Sequence, residues 1–222
     1  MKLNLLALLK FFDGKVQDSH GHATAINAMM GEELGAGLLK HYFENKEGKT
    51  VSIGGRCTQG TQTGHRLDRW MFVKSQRLRV WYQVEIKNWS AHSLRGKTLD
   101  VSPTQSELRA HRKERWGRRW NANSRTLRNE KAQKVLTPMK VPNEADGKFQ
   151  IKPLICFWDA MHPNGSDKAL FRVKLKKKEK FPELWIFSMS NYVRILRAEG
   201  KKTVDLWMPH TLERIDWLKK LS

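Results

Sequence analysis

Two runs lying close together, RLDRWMFVK (66–74) and LRVWYQVEIKNW (78–89), limit the folds open to this chain more than any other feature. Both are rich in aromatic and β-branched residues set against polar ones, as half-buried strands require. Only Ser75, Gln76 and Arg77 separate them, so the two strands return on each other as an antiparallel hairpin. Centred between Gln76 and Arg77, the hairpin sets Asp68 opposite Glu85. Strand alternation gives Glu85 and Lys87 one face and sends Ile86 to the other, into a core. Directly opposed residues have Cβ atoms about 5 Å apart, where two carboxylates repel unless something positive lies between them. A hard divalent cation meets that need. Mg²⁺ takes a few carboxylates plus waters, and the main-chain carbonyl of Ile86 adds a further oxygen. The Lys87 ammonium beside such an ion would orient or help ionise an attacking water and offset charge growing on a phosphate.

Around this hairpin the periodicities alternate between helix and strand. Leu3 to Phe12 has helical apolar spacing and stops at Asp13-Gly14, which predicts a short packed helix. From His22 to Gly48 the apolar positions Ile26, Met29, Met30, Leu34, Leu38, Tyr42 and Phe43 predict one long helix. It carries two adjacent acids, Glu32 and Glu33, of which only one can face the hairpin's cleft. Gly35, Ala36 and Leu39 put Glu32 beside a packing face and favour it, while Leu34 and Leu38 keep Glu33 as the alternative. TVSIGG (50–55) reads as a short strand. After a polar link, Ser102, Pro103 and Gln105 supply an N-cap, a first-turn proline and a capping-box residue for a second helix, which residues 121–134 prolong or follow with another. Residues 135–147 read as a Pro and Gly loop, KPLICFWDAM (152–161) as a buried strand, and FRVKLKKK (171–178) as an amphipathic one. ELWIFSM (183–189) and VRILRAEGKKTVDLWM (193–208) predict further strands with a turn at Glu199-Gly200, and Leu212 to Leu221 a terminal helix.

Charge points to the partner. The 42 Lys and Arg exceed the 22 Asp and Glu by +20, while 39% hydrophobic residues are enough for a packed core, which argues against a disordered basic tail and for a folded protein with a polyanionic partner. The helix after Ser102 concentrates this charge in Arg109, Arg112, Lys113, Arg115, Arg118 and Arg119, nearly all around its axis, with Trp116 and Trp120 interleaved. Phosphate contact explains that distribution better than solubility, and the tryptophans suit core packing more than base stacking. Arg172, Lys174 and Lys176 suit an edge strand guarded by cations as well as they suit DNA contact. Gln83 and Asn88 are placed to line the cleft or to satisfy backbone groups, while His92, near the site, suits a plain loop residue more than phosphate contact or proton transfer. His20 and His22 have no partners that complete a zinc site, and Cys57 and Cys156 make neither a disulfide framework nor a four-thiolate site. These features, with Leu3 to Leu9 broken by Lys10, lead us to expect a cytoplasmic protein with no membrane span.

The order of helix with acid, strand, strand with Asp68, strand with Glu85-Ile86-Lys87, basic helix and strand resembles the PD-(D/E)xK nuclease superfamily over about residues 23–155. GEELGAGLL followed by RLDRW and VEIK is especially similar to small bacterial members and to archaeal Holliday-junction resolvases. Leu67 stands where the motif's name has Pro, and Arg109 stands where a RecB-like exonuclease branch has Tyr. The resemblance implies an α/β restriction-endonuclease-like αβββαβ core with a mixed central sheet, elaborated by C-terminal strands and a terminal helix. The whole chain, 1–222, is then a single nuclease domain with its core at about 23–160 and its elaboration at about 161–222. It further implies a metal-dependent endonuclease acting on DNA phosphodiesters, with Asp68 and Glu85 as metal ligands, Lys87 as catalytic lysine, Glu32 as the helical acid, and Mg²⁺, replaceable by Mn²⁺, as cofactor. A homodimer with one site per strand is the simplest arrangement for cutting both strands, and no nucleotide cofactor is expected. Two alternatives stay open, a DNA-binding protein of this fold that does not cut and a junction resolvase.

Overall fold

In a computed structural model, the structure describes residues 1–13, 25–26, 28–55, 57–58, 66–76, 78–87, 106, 110, 135–143, 147–162, 164–175 and 180–221. The hairpin is its spine. Strand β5 (Arg69–Lys74) pairs antiparallel with β6 (Arg79–Lys87), with Lys74 against Arg79 and Arg69 against Val84, the register predicted from the turn. On the free side of β5 lies β2 (Thr50–Ile53), antiparallel, which follows helix α2 (Glu33–Asn45). On the free side of β6 lies β7 (Gln150–Phe157), parallel, and next to it β9 (Glu183–Ser188), also parallel. Strand β8 (Leu170–Lys174) closes that edge antiparallel to β9, giving a six-stranded mixed sheet in the order β2-β5-β6-β7-β9-β8. The fold is thus α/β with a mixed central sheet. Two small ribbons complete the strands: β3 (Cys57–Thr58) with β4 (Arg66–Leu67), and β1 (Lys2–Asn4) with β10 (Thr203–Asp205).

The sheet has a core on each face because its central strands are apolar on both sides. Val80, Tyr82, Val84 and Ile86 of β6 face a large cluster that takes in α1 (Leu5–Asp13), α2 and α3 (Met189–Ala198). Trp81 of β6 joins Trp70, Ile155 and Ile186 in the other cluster, capped by Val135, Leu136 and Met139. In β7, Leu154, Ile155, Cys156 and Phe157 are buried in succession, as expected of a central parallel strand. Helix α4 (Pro209–Leu221) is held to the body through its first turn, where Thr211 is buried.

Several expectations need correction. The segment from Val193, expected as a strand, lies in helix α3: Met189, Tyr192, Val193 and Leu196 are buried at the i, i+3, i+4, i+7 spacing of a helix face, and that period prevails over local β-propensity. The turn at Glu199-Gly200 stands, with Gly200 at φ 81°, and a strand follows it only at β10. The predicted first helix loses its start, because Leu3 is in β1 and pairs with Val204. The long helix predicted to Gly48 is interrupted by a turn at Gly31-Glu32, where Gly31 takes φ 52°. The last helix begins at Pro209, three residues before Leu212, with proline in its favoured first-turn place. As an edge strand, β8 leaves Arg172 and Lys174 exposed, and Arg172 ion-pairs with Glu183 at 3.0 Å, which fits edge protection. The residues Ser102, Pro103, Gln105, Arg109, Arg112, Lys113, Arg115, Trp116, Arg118, Arg119 and Trp120 lie outside the described residues, as do His20, His22, Asn88, His92 and Lys176. Among the described residues, no helix is long and apolar enough to cross a membrane.

Candidate active site

Asp68 sits in a bend between β4 and β5, one residue beyond the last ladder pair, Arg69 with Val84. Its main-chain N–H donates to the carbonyl of Val84 at 3.1 Å, and its Oδ2 accepts from the main-chain N–H of Ile86 at 2.6 Å. Asp68 is therefore fastened to the residues on either side of Glu85. Where β5 leaves the ladder, this carboxylate takes a β6 N–H that has passed the end of the paired strand, and the bond orients the side chain.

Glu85 is buried on the β6 face opposite Ile86, and its Oε1 ion-pairs with the Nζ of Lys87, two residues along the same face. A buried carboxylate needs such a partner, since desolvation without one would drive it to its neutral form. Lys87 itself is only partly buried, so the charged pair reaches the surface at the end of β6. The strand end is held from the other side by Trp158, whose main-chain N–H donates to the Lys87 carbonyl at 3.3 Å. Cys156 lies opposite Ile86 in the β6–β7 register, and burial, then the nearby Asp68 charge, push its thiol well above its ordinary value. It stays a neutral core group.

Helix α2 brings the third acid. A Cβ placed on Gly35 would lie 2.5 Å from the Cγ2 of Ile86, so the helix rests its backbone directly on the residue between Glu85 and Lys87. Glu32, at the N-cap of α2, reaches Arg69 at 3.8 Å, and Arg69 follows Asp68 in the chain. Glu33 turns the other way. It is buried and accepts from the N–H of His210 at 3.1 Å, the N–H of Thr211 at 2.6 Å and the Thr211 hydroxyl at 2.7 Å, capping the start of α4. Between the two acids left open by the sequence, Glu32 lies beside the hairpin.

Gln83 does not line the cleft. It is fully buried, its Nε2 donates to the carbonyls of Val135 and Thr137, and its Oε1 accepts from the Met139 N–H at 3.2 Å. It satisfies the backbone of an irregular segment laid over the sheet, the second of its two expected roles. Arg69 escaped the sequence reading, and nothing in RLDRW marks it as a partner for an acid 37 positions earlier. The cap that Glu33 gives α4 escaped as well, although Pro209 at a helix start signals an N-terminus in need of an acceptor.

The group thus gathers Asp68, Glu85 and Lys87 on one strand end with Glu32 at the adjoining helix start. Among the described residues, no group of three or more His, Cys, Asp or Glu side chains could hold a metal ion. The donors expected here from the sequence, the Asp68 and Glu85 carboxylates and the Ile86 carbonyl, are an all-oxygen set. That set suits Mg²⁺, which is bound through one or two carboxylates and keeps several waters, and it does not suit zinc. No family model, no curated protein and no solved structure matches this chain.

Proposed function

We propose that this protein is a Mg²⁺-dependent endonuclease that hydrolyses DNA phosphodiester bonds on a restriction-endonuclease-like core. The observation that carries the reading is the fastening of Asp68 on both sides of Glu85, with Lys87 on the Glu85 face. The order α2, β2, β5, β6, β7, antiparallel through the first three strands and then parallel, supports the αβββαβ assignment. Asp68, Glu85 and the Ile86 carbonyl would hold the ion. Bound there, Mg²⁺ supplies Lewis-acid polarisation of a phosphoryl oxygen and makes a nearby water more acidic.

The chain's own groups do the rest. The Ile86 N–H orients the Asp68 carboxylate, and Lys87 orients that of Glu85, so neither has to reorganise when phosphate arrives. Lys87, at the rim of this buried pair, holds a water in line with the scissile bond and offsets the negative charge growing on phosphorus-bound oxygens. Glu32, which ion-pairs with Arg69 at 3.8 Å, would orient a second water. Arg109, Arg112, Lys113, Arg115, Arg118 and Arg119 hold the duplex by its phosphates.

Cleavage assays at fixed salt on linear, supercoiled, branched and single-stranded DNA and on RNA, with and without Mg²⁺, test this. Lys87→Ala and Glu85→Ala should each lower cleavage by about 10²-fold or more without unfolding the protein. If both variants cut as fast as the parent, the assignment is wrong. Salt-sensitive binding with no turnover in Mg²⁺ or Mn²⁺ would leave a DNA-binding protein that does not cut, and a strong preference for four-way junctions a resolvase.

A further inference from the structure

At the opposite end of the hairpin from the acids, three turns meet around a groove of about 540 Å³. Gly48 and Thr50 line it from the turn after α2, Lys74, Ser75 and Arg79 from the β5–β6 turn, and Lys148 from the approach to β7. Among the described residues, no carboxylate lines it. Lys74 and Arg79 are direct cross-strand partners, so two cations face each other where a favourable pair would have opposite signs. Among the described residues, no acid ion-pairs with Lys74, Arg79 or Lys148, whereas Lys40, Lys46 and Lys152 elsewhere on the molecule each have one in Glu44, Glu199 and Glu183.

Two glycines keep the groove open. Gly147 takes φ 72°, and a Cβ there would lie 3.0 Å from the Arg79 guanidinium, so its absence lets the chain bring Lys148 alongside. Gly48, at φ 59°, takes the left-handed conformation that glycine adopts without steric cost, and a Cβ there would meet nothing within 4 Å. Three cations that no acid among the described residues compensates repel one another around a concavity until an anion enters, and the energy so relieved is binding energy for that anion.

We propose that this groove binds a backbone phosphate of nucleic acid, at a second contact separate from the cleavage site. Arg79 and Lys87 are the two ends of β6, and eight steps at about 3.3 Å per residue put them about 26 Å apart. The phosphate held here is therefore not the one that is cut. The inference rests on the nuclease reading for the identity of the polyanion and on the groove alone for its place.

Binding of a duplex DNA in EDTA, between 50 and 200 mM salt, tests it with the full chain, the charge-reversed triple variant Lys74→Glu, Arg79→Glu, Lys148→Glu, and the neutral triple with Gln at the same positions. Loss of the phosphate held here should make the slope of log K against log salt shallower by about 0.9 and weaken binding about tenfold at the lower salt. Circular dichroism melts check folding, and the Gln triple decides if the Glu triple does not fold. Parent-like affinity and slope in the Gln triple overturn the proposal, and do so without touching the nuclease reading if Lys87→Ala is inactive. Loss of binding in the Gln triple together with no turnover by the parent in Mg²⁺ or Mn²⁺ sinks the nuclease reading and leaves the groove. A titration with inorganic phosphate separates the remaining source. Stabilisation of the parent but not the Gln triple, with unchanged DNA binding, makes this a site for a free anion and overturns the nucleic-acid assignment.

Discussion

Glu32 and Glu33 follow one another in the chain, yet they bond to partners on opposite sides. Glu33 is closed in by three donors from His210 and Thr211, residues 177 and 178 positions away, and Glu32 reaches back to Arg69 at the hairpin. Removing the Glu33 carboxylate strands the first N–H groups of α4, so Glu33→Ala should cost about 2 kcal/mol in chemical denaturation. Glu32→Gln keeps the fold and should slow cleavage under the proposed function. A stable but inactive Glu33→Ala beside a fully active Glu32→Gln would exchange their roles. The choice could not be read from the chain, since neighbouring helix positions point about 100° apart and either could have met the cleft. By contrast, the register that brings Asp68 to the end of β6 was legible, because the four-residue turn between Lys74 and Arg79 leaves a hairpin little choice of register.

At the scale of elements, the glycines of GEELGAGLL matter as much as its acids. Gly35 rests on Ile86, and a Cβ on Gly37 would lie 3.0 Å from the Trp207 carbonyl, so α2 is pressed between the central strand and the segment leading into α4. Gly35→Ala adds a methyl group where the nearest heavy atom is 2.5 Å from it, against the intrinsic preference of helices for alanine. Overpacking should prevail, with a loss of about 1–3 kcal/mol in denaturant and, because Ile86 lies between Glu85 and Lys87, slower cleavage under the proposed function. A variant more stable than the parent would show that α2 can move away from β6 at no cost. The same scale accounts for the misread helix α3. Its β-branched residues suit either state locally, and the sheet edge next to β7 was already taken by β9, so the segment that follows packs across the face instead.

For the whole molecule, the connection that matters runs from the first helix to the third. Asp13, at the end of α1, is buried and accepts from the indole Nε1 of Trp158 at 2.8 Å and from Arg194 of α3 at 2.6 Å. Arg194 also comes within 4.0 Å of Asp159, and Trp158 is the residue whose N–H holds the Lys87 carbonyl. Helices α1 and α3 and the end of β7 are thus tied beside the strand end that bears the candidate site. Asp13→Ala leaves a largely buried guanidinium short of a carboxylate and should lower the free energy of unfolding by about 3–5 kcal/mol. A loss below about 1 kcal/mol would mean that water replaces the pair. What the amino-acid sequence determined by itself was local: the hairpin, its register, and the placing of Glu85 and Lys87 on one face of β6, all set by a short turn and a two-residue period. Only the tertiary structure decided that Glu33 caps α4, that Glu32 meets Arg69, that Gln83 serves the backbone and that three cations share one groove. Those contacts join residues far apart in the chain, and they form only when packing of the two cores brings separate elements to within a hydrogen bond or a screening length of each other.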